Sequence, residues 1–280
     1  MKLTEEALKL DSATTATRIK RFIKDYVKKT KARGIVLGLS GGIDSSTTAA
    51  ITSLAIGGNN VLALTLPEQE TYNPTDIKHT KQLAKKFGFN TQTIDITPIL
   101  KAYAHTIPTF DPTDKLTKGN LKARIRMTII YYYANHQQRI VCGSSDKSET
   151  MMGYFTKYGD VAADISPLMD LYKTQVRQLA SHIGIPKQII TKPSTPLLWP
   201  GHLAEKELGI KYELLDLILL GLENFMPTKD IAQQLGLPLK QINEIKTKWL
   251  SKEHKRRPPL TIKLGYRTIG ADFRLPYTLH

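Results

Sequence analysis

Between residues 34 and 51 the chain reads GIVLGLSGGIDSSTTAAI: an apolar run, then Ser40-Gly41-Gly42, then Asp44-Ser45-Ser46, then sequence that suits a helix. Gly38, Gly41 and Gly42 let the backbone bend tightly and approach a ligand with no Cβ in the way. Ser40, Ser45 and Ser46 add hydroxyl donors, and the first turn of a following helix favours negative charge. The guest expected at such a corner is an anion, above all a phosphate. Asp44 would repel that guest unless a cation stands between them, and Mg²⁺ held by one or two carboxylates plus phosphate oxygens meets the need. A plain helix cap with solvated serines is the simpler account of Asp44, but the paired glycines favour phosphate. The stretch is neither a Walker loop, which needs a Lys after its last Gly, nor the G-x-G-x-x-G dinucleotide fingerprint.

The elements that would hold this corner follow from the alternation of apolar β-type segments with helical ones. Strand candidates are 34–39, 61–66, 91–96 and 139–143, with helices from about Asp44, after Pro74 and over 120–136 between them. This is the pattern of an α/β chain: a doubly wound, open parallel sheet with helices on both faces. From Asp170 onward the sequence reads as helices broken by Gly184, Pro186, Pro193, Pro200 and Pro227, a helical C-terminal part of the same domain. Ligands of such sheets bind beyond the carboxyl ends of the strands. The segment 143–180 follows the 139–143 strand and opens at the same edge as the first corner. Glu149, early in that segment, could give a second carboxylate to the same cation, or be only a first-turn dipole partner. Residues 106–119 and 192–209 are long for internal connections and are expected to be mobile binding loops.

Composition narrows the classes. With 280 residues and 41% hydrophobic content, one sizeable core and a single domain over 1–280 are expected. One cysteine, Cys142, excludes a disulfide framework, a paired-thiol site and a cysteine-rich zinc cluster, and is expected to be a small buried hydrophobe. No signal-peptide core follows Met1 and no run approaches the ~20 apolar residues of a membrane span. A soluble, cytoplasmic protein is expected. The net charge of +15 asks for an anionic partner, nucleic acid or a polyphosphate. Its densest cluster, from Arg18 to Arg33, is interleaved at helical spacing with Ile19, Phe22, Ile23, Tyr26 and Val27. Those bases read as the wet face of an amphipathic helix, which disfavours nucleic acid.

Gly38-Leu39-Ser40-Gly41-Gly42-Ile43-Asp44-Ser45 resembles the S-G-G-x-D-S loop of the ATP pyrophosphatases, which cleave ATP between its α and β phosphates. A longer resemblance is carried by NLKARIRM (120–127), by 143–180 with Phe155-Thr-Lys-Tyr-Gly-Asp160, Asp164 and Leu171-Tyr-Lys173, by ELGIKYELLD (207–216) and by EHKRRPP (253–259). In order and spacing these are similar to the NAD synthetase family. The resemblance implies the adenine nucleotide alpha hydrolase-like fold. It also implies adenylation of the nicotinate carboxylate of nicotinic acid adenine dinucleotide (deamido-NAD) by ATP and Mg²⁺, after which ammonia displaces AMP to give NAD. The chain lacks the amidase domain of glutamine-using members, which implies the ammonia-dependent form. Carried over, the ATP loop falls on Gly38 to Ser45, with Ser144, Lys173 and Ser194 also at ATP and magnesium on Asp44 and Glu149. Lys173 would offset phosphate charge as pyrophosphate leaves, so Asp44 and Lys173 are the expected catalytic pair. Arg124, Lys157, Asp164, His254 and Lys255 fall on positions that bind the acid dinucleotide, which in the family lies at a homodimer interface. Both substrates are polyphosphates, so the net charge needs no RNA.

Some residues read differently by themselves. Arg124 and Arg126 stand about 200° apart on a helix and cannot face one site together. Tyr131, Tyr132 and Tyr133 read as packing residues. The chain departs from the family within 192–209, where Ala204 stands at the place of an expected aspartate and His202 and Glu205 are candidate substitutes. The alternatives of another class are a tRNA-modifying adenylating enzyme, for which no tRNA-binding segment is evident, and a nucleotide-binding relative with impaired catalysis.

Overall fold

The computed structural model describes residues 1–269 together with Asp272 and Phe273. Four strands, β1 (Ile35–Gly38), β2 (Val61–Thr65), β3 (Asn90–Thr93) and β4 (Ile140–Val141), pair in parallel in the order β3-β2-β1-β4. Register sets Ile35 beside Val61 and Ile140, and Val36 beside Leu62 and Val141. Successive strand side chains point to opposite faces. Ile35, Leu37, Val61, Ala63 and Ile140 therefore pack in one apolar cluster, and Val36, Leu62, Leu64 and Val141 in another. Both faces are covered, which is why β1 and β2 are apolar along their length. At the edge, β3 exposes all four of its residues, and its polar side chains suit an unpaired border. The strand expected over 91–96 thus ends at Thr93, and buried Ile96 precedes a helix instead.

Helices α1 (Ser12–Thr30), α2 (Ile43–Ile56), α3 (Pro74–Phe87), α4 (Thr97–Thr106) and α5 (Lys115–Gln137) lie in the first half of the chain. They are followed by α6 (Lys147–Met152), α7 (Lys173–His182), α8 (Lys187–Ile190), α9 (Ala204–Leu208) and α10 (Tyr212–Glu223), then α11 (Thr228–Leu235), α12 (Leu239–Ser251) and α13 (Glu253–Arg256). One sheet face is covered by α1, α2, α7 and α8, the other by α4 and α5. A third cluster, built on α6, α10, α11 and α12 with Leu3 and Leu8, forms the core of the helical part. The basic residues of α1 are its wet face, with Ala16 and Ile23 buried beneath, while Phe22 lies at the margin and is 47% exposed. Cys142 is buried, as expected. No described helix is long and apolar enough to cross a membrane.

α2 is buried over Ser45–Ser53, wedged among α1, α3 and α7. Within it the Thr47 and Ser53 hydroxyls donate to the carbonyls of Ile43 and Ala49, each at 2.7 Å, while Ser46 Oγ and Thr48 Oγ1 are buried with no hydrogen-bond partner. The connection expected over 106–119 is shorter than foreseen. The Asp114 carboxylate accepts from the Thr117 amide at 3.0 Å, capping α5 so that it begins at Lys115. From β1 the chain winds outward to β2 and β3, then returns to place β4 on the other side of β1. The switch point between β1 and β4 is where such a sheet opens a crevice.

Candidate active site

The corner after β1 borders this crevice. Gly41 has φ +79°, and a Cβ there would stand 3.0 Å from the Asp76 Cβ and 3.3 Å from the Asp76 carbonyl oxygen, so only glycine fits. Ser45 Oγ accepts from the Ser40 amide at 3.2 Å, donates to the Gly42 carbonyl at 3.2 Å and lies 3.1 Å from Ser40 Oγ. The serines thus brace the loop. Gly42 caps α2 with no side chain, which leaves the first amides of a fourteen-residue helix turned outward for an anion.

Opposite, the loop after β4 leads through Ser144 to Asp146, whose Oδ1 caps α6 by accepting from the Glu149 amide at 2.8 Å. Buried Ser148 ties α6 to α7: its Oγ accepts from the Lys173 amide at 2.9 Å and donates to Asp216 Oδ1 at 2.6 Å. Asp216 Oδ2 accepts from the Thr174 amide at 2.8 Å. These bonds aim Lys173, the first residue of α7, at the carboxylates. Its Nζ lies 2.6 Å from Asp44 Oδ2, 2.7 Å from Asp146 Oδ2 and 2.9 Å from Glu149 Oε1, with the side chains of Lys173 and Asp146 wholly buried.

The electrostatics are unbalanced. Burial pulls the Lys173 pKa down, but Asp146, Asp44 and Glu149 outweigh it and hold the ammonium well above its usual range. Burial, against the pull of Lys173, pushes Asp146 up to about 6. Glu149 is driven well above the carboxylate range by burial first and by Asp146 next. Three carboxylates around one ammonium leave an excess of negative charge that protons or another cation must offset. A ligand oxygen from each of Asp44, Asp146 and Glu149 lies within 4.8 Å of the others, and Asp44 Oδ1 is buried without a hydrogen-bond partner. Hard oxygen donors in this number suit a divalent cation that also keeps phosphate or water ligands. Asp146 had no role in the sequence reading; its place as the N-cap three residues before Glu149 was the available signal.

Both corners open into one cavity of about 720 Å³. Ser144, Ser194, Glu149, Asp44 and Lys255 line it, as do Arg126, Trp199 and His202. Lys173 lies beneath the carboxylates. The remaining expected dinucleotide residues lie elsewhere. Arg124 is exposed and donates through Nη2 to the Lys157 carbonyl at 3.3 Å, and Lys157 Nζ donates to the His254 carbonyl at 2.8 Å. These three residues form a contiguous outer patch. Asp164 Oδ2 accepts from the Val141 amide at 2.7 Å, at the end of β4. Of the two arginines a half-turn apart, Arg126 faces the cavity, its Nε donating to the Leu66 carbonyl at 3.0 Å.

Two sets of ion pairs, one centred on a fully buried lysine, fasten the segment 192–209. Lys122 Nζ lies 2.6 Å from Glu68 Oε2 and 3.0 Å from Glu70 Oε2, and donates to the Leu198 carbonyl at 3.1 Å. Lys192 pairs with Asp76. Ala204 is buried at the start of α9, its amide donating to the Ser194 carbonyl at 3.0 Å. His202 Nε2 lies 2.5 Å from Glu207 Oε2 and 3.0 Å from the Tyr154 hydroxyl, and its ring stacks on Trp199 at 3.5 Å.

The model of the NAD synthase family matches residues 15–259. The chain belongs to the NAD synthase family. It is 44% identical over 255 residues to the NH(3)-dependent NAD(+) synthetase of Hyperthermus butylicus, covering 91% of this chain and 92% of that protein. To the NH(3)-dependent NAD(+) synthetase of Methanocaldococcus jannaschii it is 46% identical over 246 residues, covering 87% and 94%. Among solved structures, the NMN synthetase of Francisella tularensis superposes with a TM-score of 0.80 at 31% identity, covering 91% of this chain and all of that one. The NH3-dependent NAD synthetase of Campylobacter jejuni, in complex with the nitrate ion, gives 0.75 at 29%, again covering 91% and 100%. Members of the NAD synthase family are ligases that use ATP as a substrate. Family membership replaces the tRNA-modifying alternative, and the parallel sheet is that of the family's structures.

Proposed function

We propose that this protein is an ammonia-dependent NAD(+) synthetase, which adenylates the nicotinate carboxylate of nicotinic acid adenine dinucleotide with ATP and lets ammonia displace AMP. The observation that carries this reading is the joining of two features at one crevice: the uncapped start of α2 behind Ser40–Gly42, and the Asp44–Asp146–Glu149 cluster around Lys173. The first binds phosphate through backbone amides. The second would hold Mg²⁺, which when bound offsets the charge of the phosphate oxygens. Ser40 and Ser45 keep the loop in shape for the phosphates. Lys173, its proton retained by the surrounding carboxylates, is a fixed positive charge for the departing pyrophosphate.

A carboxylate is a poor acyl donor, so the site's main work is to bring two polyanions together and stabilise the charge that develops between them. Ser144 and Ser194 line the same cavity and are placed to contact ATP. Arg124, Lys157 and His254 form a patch outside it, open to the acid dinucleotide where a second subunit completes the site, with Asp164 and Lys255 as its further contacts. The working form is then a homodimer of one NAD synthetase domain, cytoplasmic and active with free ammonia.

Pyrophosphate release tests this, with ATP, Mg²⁺, the acid dinucleotide and ammonium omitted in turn. Release that requires ATP, Mg²⁺ and the acid dinucleotide, with NAD formed only when ammonium is added, is the expected result. Nicotinate mononucleotide, run in parallel, tests the smaller acyl donor to which the Francisella relative's name points. Release with the mononucleotide alone would overturn the choice of substrate.

A further inference from the structure

We propose that His202, positioned by Glu207 and Tyr154, is the base that takes a proton from ammonium as the nitrogen nucleophile enters the cavity; this rests on the functional reading above. Two donors, the Tyr154 hydroxyl and His202 Nε2, converge on Glu207 Oε2 at 2.9 and 2.5 Å. A carboxylate so placed accepts from both, which fixes the imidazole with its hydrogen on Nε2 and its lone pair on Nδ1. That Nδ1 is buried and has no hydrogen-bond partner. An unpartnered buried nitrogen costs stability unless something uses it. The ring is only 5% exposed, stacks on Trp199 and lines the same cavity as Asp44 and Glu149. Its place relative to the phosphate corner is fixed through Tyr154, whose amide donates to the Glu149 carbonyl at 2.8 Å.

Protonation favours the role. Burial lowers the His202 pKa against the opposing pull of Glu207, so the imidazole is neutral and ready to accept at neutral pH. The other charges bearing on this corner are Glu149 and Asp160, which act on the Tyr154 hydroxyl, and Lys255, which is coupled to Glu207. In the step, the Nδ1 lone pair takes one proton from ammonium. The ammonia so freed forms the C–N bond at the adenylated carboxyl carbon. The bond from that carbon to the AMP phosphate oxygen breaks, its electron pair leaving on the oxygen, which carries off the second nitrogen proton. The imidazolium, stabilised by Glu207, returns its proton to water. Ala204, at the position of the expected family aspartate, offers no such group.

His202→Gln tests the assignment across a pH series. Its kcat/KM for ammonium is expected to fall ~10²-fold at neutral pH, as loss of general-base catalysis gives, and to recover as pH rises toward the pKa of ammonium itself. Pyrophosphate release before ammonium is added should persist. Glu207→Gln provides a second arm. Without the carboxylate the imidazole is less basic, so the acid limb of the ammonium profile should move to lower pH. A deficit equal at every pH, or an unmoved limb in Glu207→Gln, overturns the inference. Wild-type protein that releases no pyrophosphate with the acid dinucleotide overturns the functional reading instead, and this inference with it.

Discussion

At the residue scale, the carboxylate cluster stores unfavourable charge that a metal would relieve. Asp146→Asn removes one like charge from a buried group of three. The metal-free variant is therefore expected to melt higher than wild type at neutral pH, to lose any stabilisation by Mg²⁺, and to turn over ~10²-fold or more slowly, as loss of a charge-stabilising group gives. Melting curves with and without Mg²⁺ measure the first two, and NAD formation the third. The pH dependence has a definite sign. A carboxyl whose folded pKa is raised to about 6 binds its proton more tightly folded than unfolded, so metal-free wild type should gain stability relative to Asp146→Asn as pH falls from 7 toward 5. A gap that widens with acidification the other way would refute the burial of Asp146. Asp44 and Glu149 were legible in the sequence because paired glycines and a strand end flag them, and Lys173 only through the resemblance that Leu171-Tyr-Lys173 carries. Asp146 was hidden because an Asp before a helix reads as a cap, and it is one, with its other oxygen at Lys173. Arg126 was half legible: helical geometry separated it from Arg124 but left open which of the two faced inward.

At the element scale, the connections over the cavity depend on pairings that no local pattern shows. Lys122 reads as a polar residue in a helix, yet it is fully buried against Glu68, 54 positions away. Lys122→Met leaves Glu68 without its cation and should cost about 3–5 kcal/mol in urea denaturation, since breaking a buried pair strands a charge. Gly41→Ala should cost about 1–2 kcal/mol from its left-handed backbone, with weakened ATP binding because the new Cβ presses on Asp76. Binding isotherms for ATP separate the two effects. The strands β1 and β2 were readable as unbroken apolar runs, and α1 by its period, since its burial repeats with the helical turn. The edge strand β3 and the early start of α5 were less so, because exposure and one cap decided them. The stacked Trp199 and His202 lie in a Pro-broken stretch where periodicity says nothing.

At the scale of the whole molecule, the charge of +15 serves two polyanionic substrates and an exposed helix face. Lys24→Glu and Lys28→Glu on the exposed face of α1 should leave turnover within about twofold, because exposed charges beyond a Debye length of ~10 Å act weakly; a large drop would give that face a role in the reaction. The parallel sheet follows from the alternation of strands and helices, while the order β3-β2-β1-β4, with its switch point at β1 and β4, is set by the tertiary structure and brings residues 40–45 and 143–149 to one edge. The proposed function requires that the nicotinate carboxylate be adenylated at that edge. The most direct test starts from acid dinucleotide labelled with ¹⁸O in both carboxylate oxygens, turned over with ATP and ammonium in ordinary water, with the AMP then examined by mass spectrometry. Adenylation predicts one ¹⁸O in the AMP phosphate and one in the NAD amide; AMP free of label would contradict it.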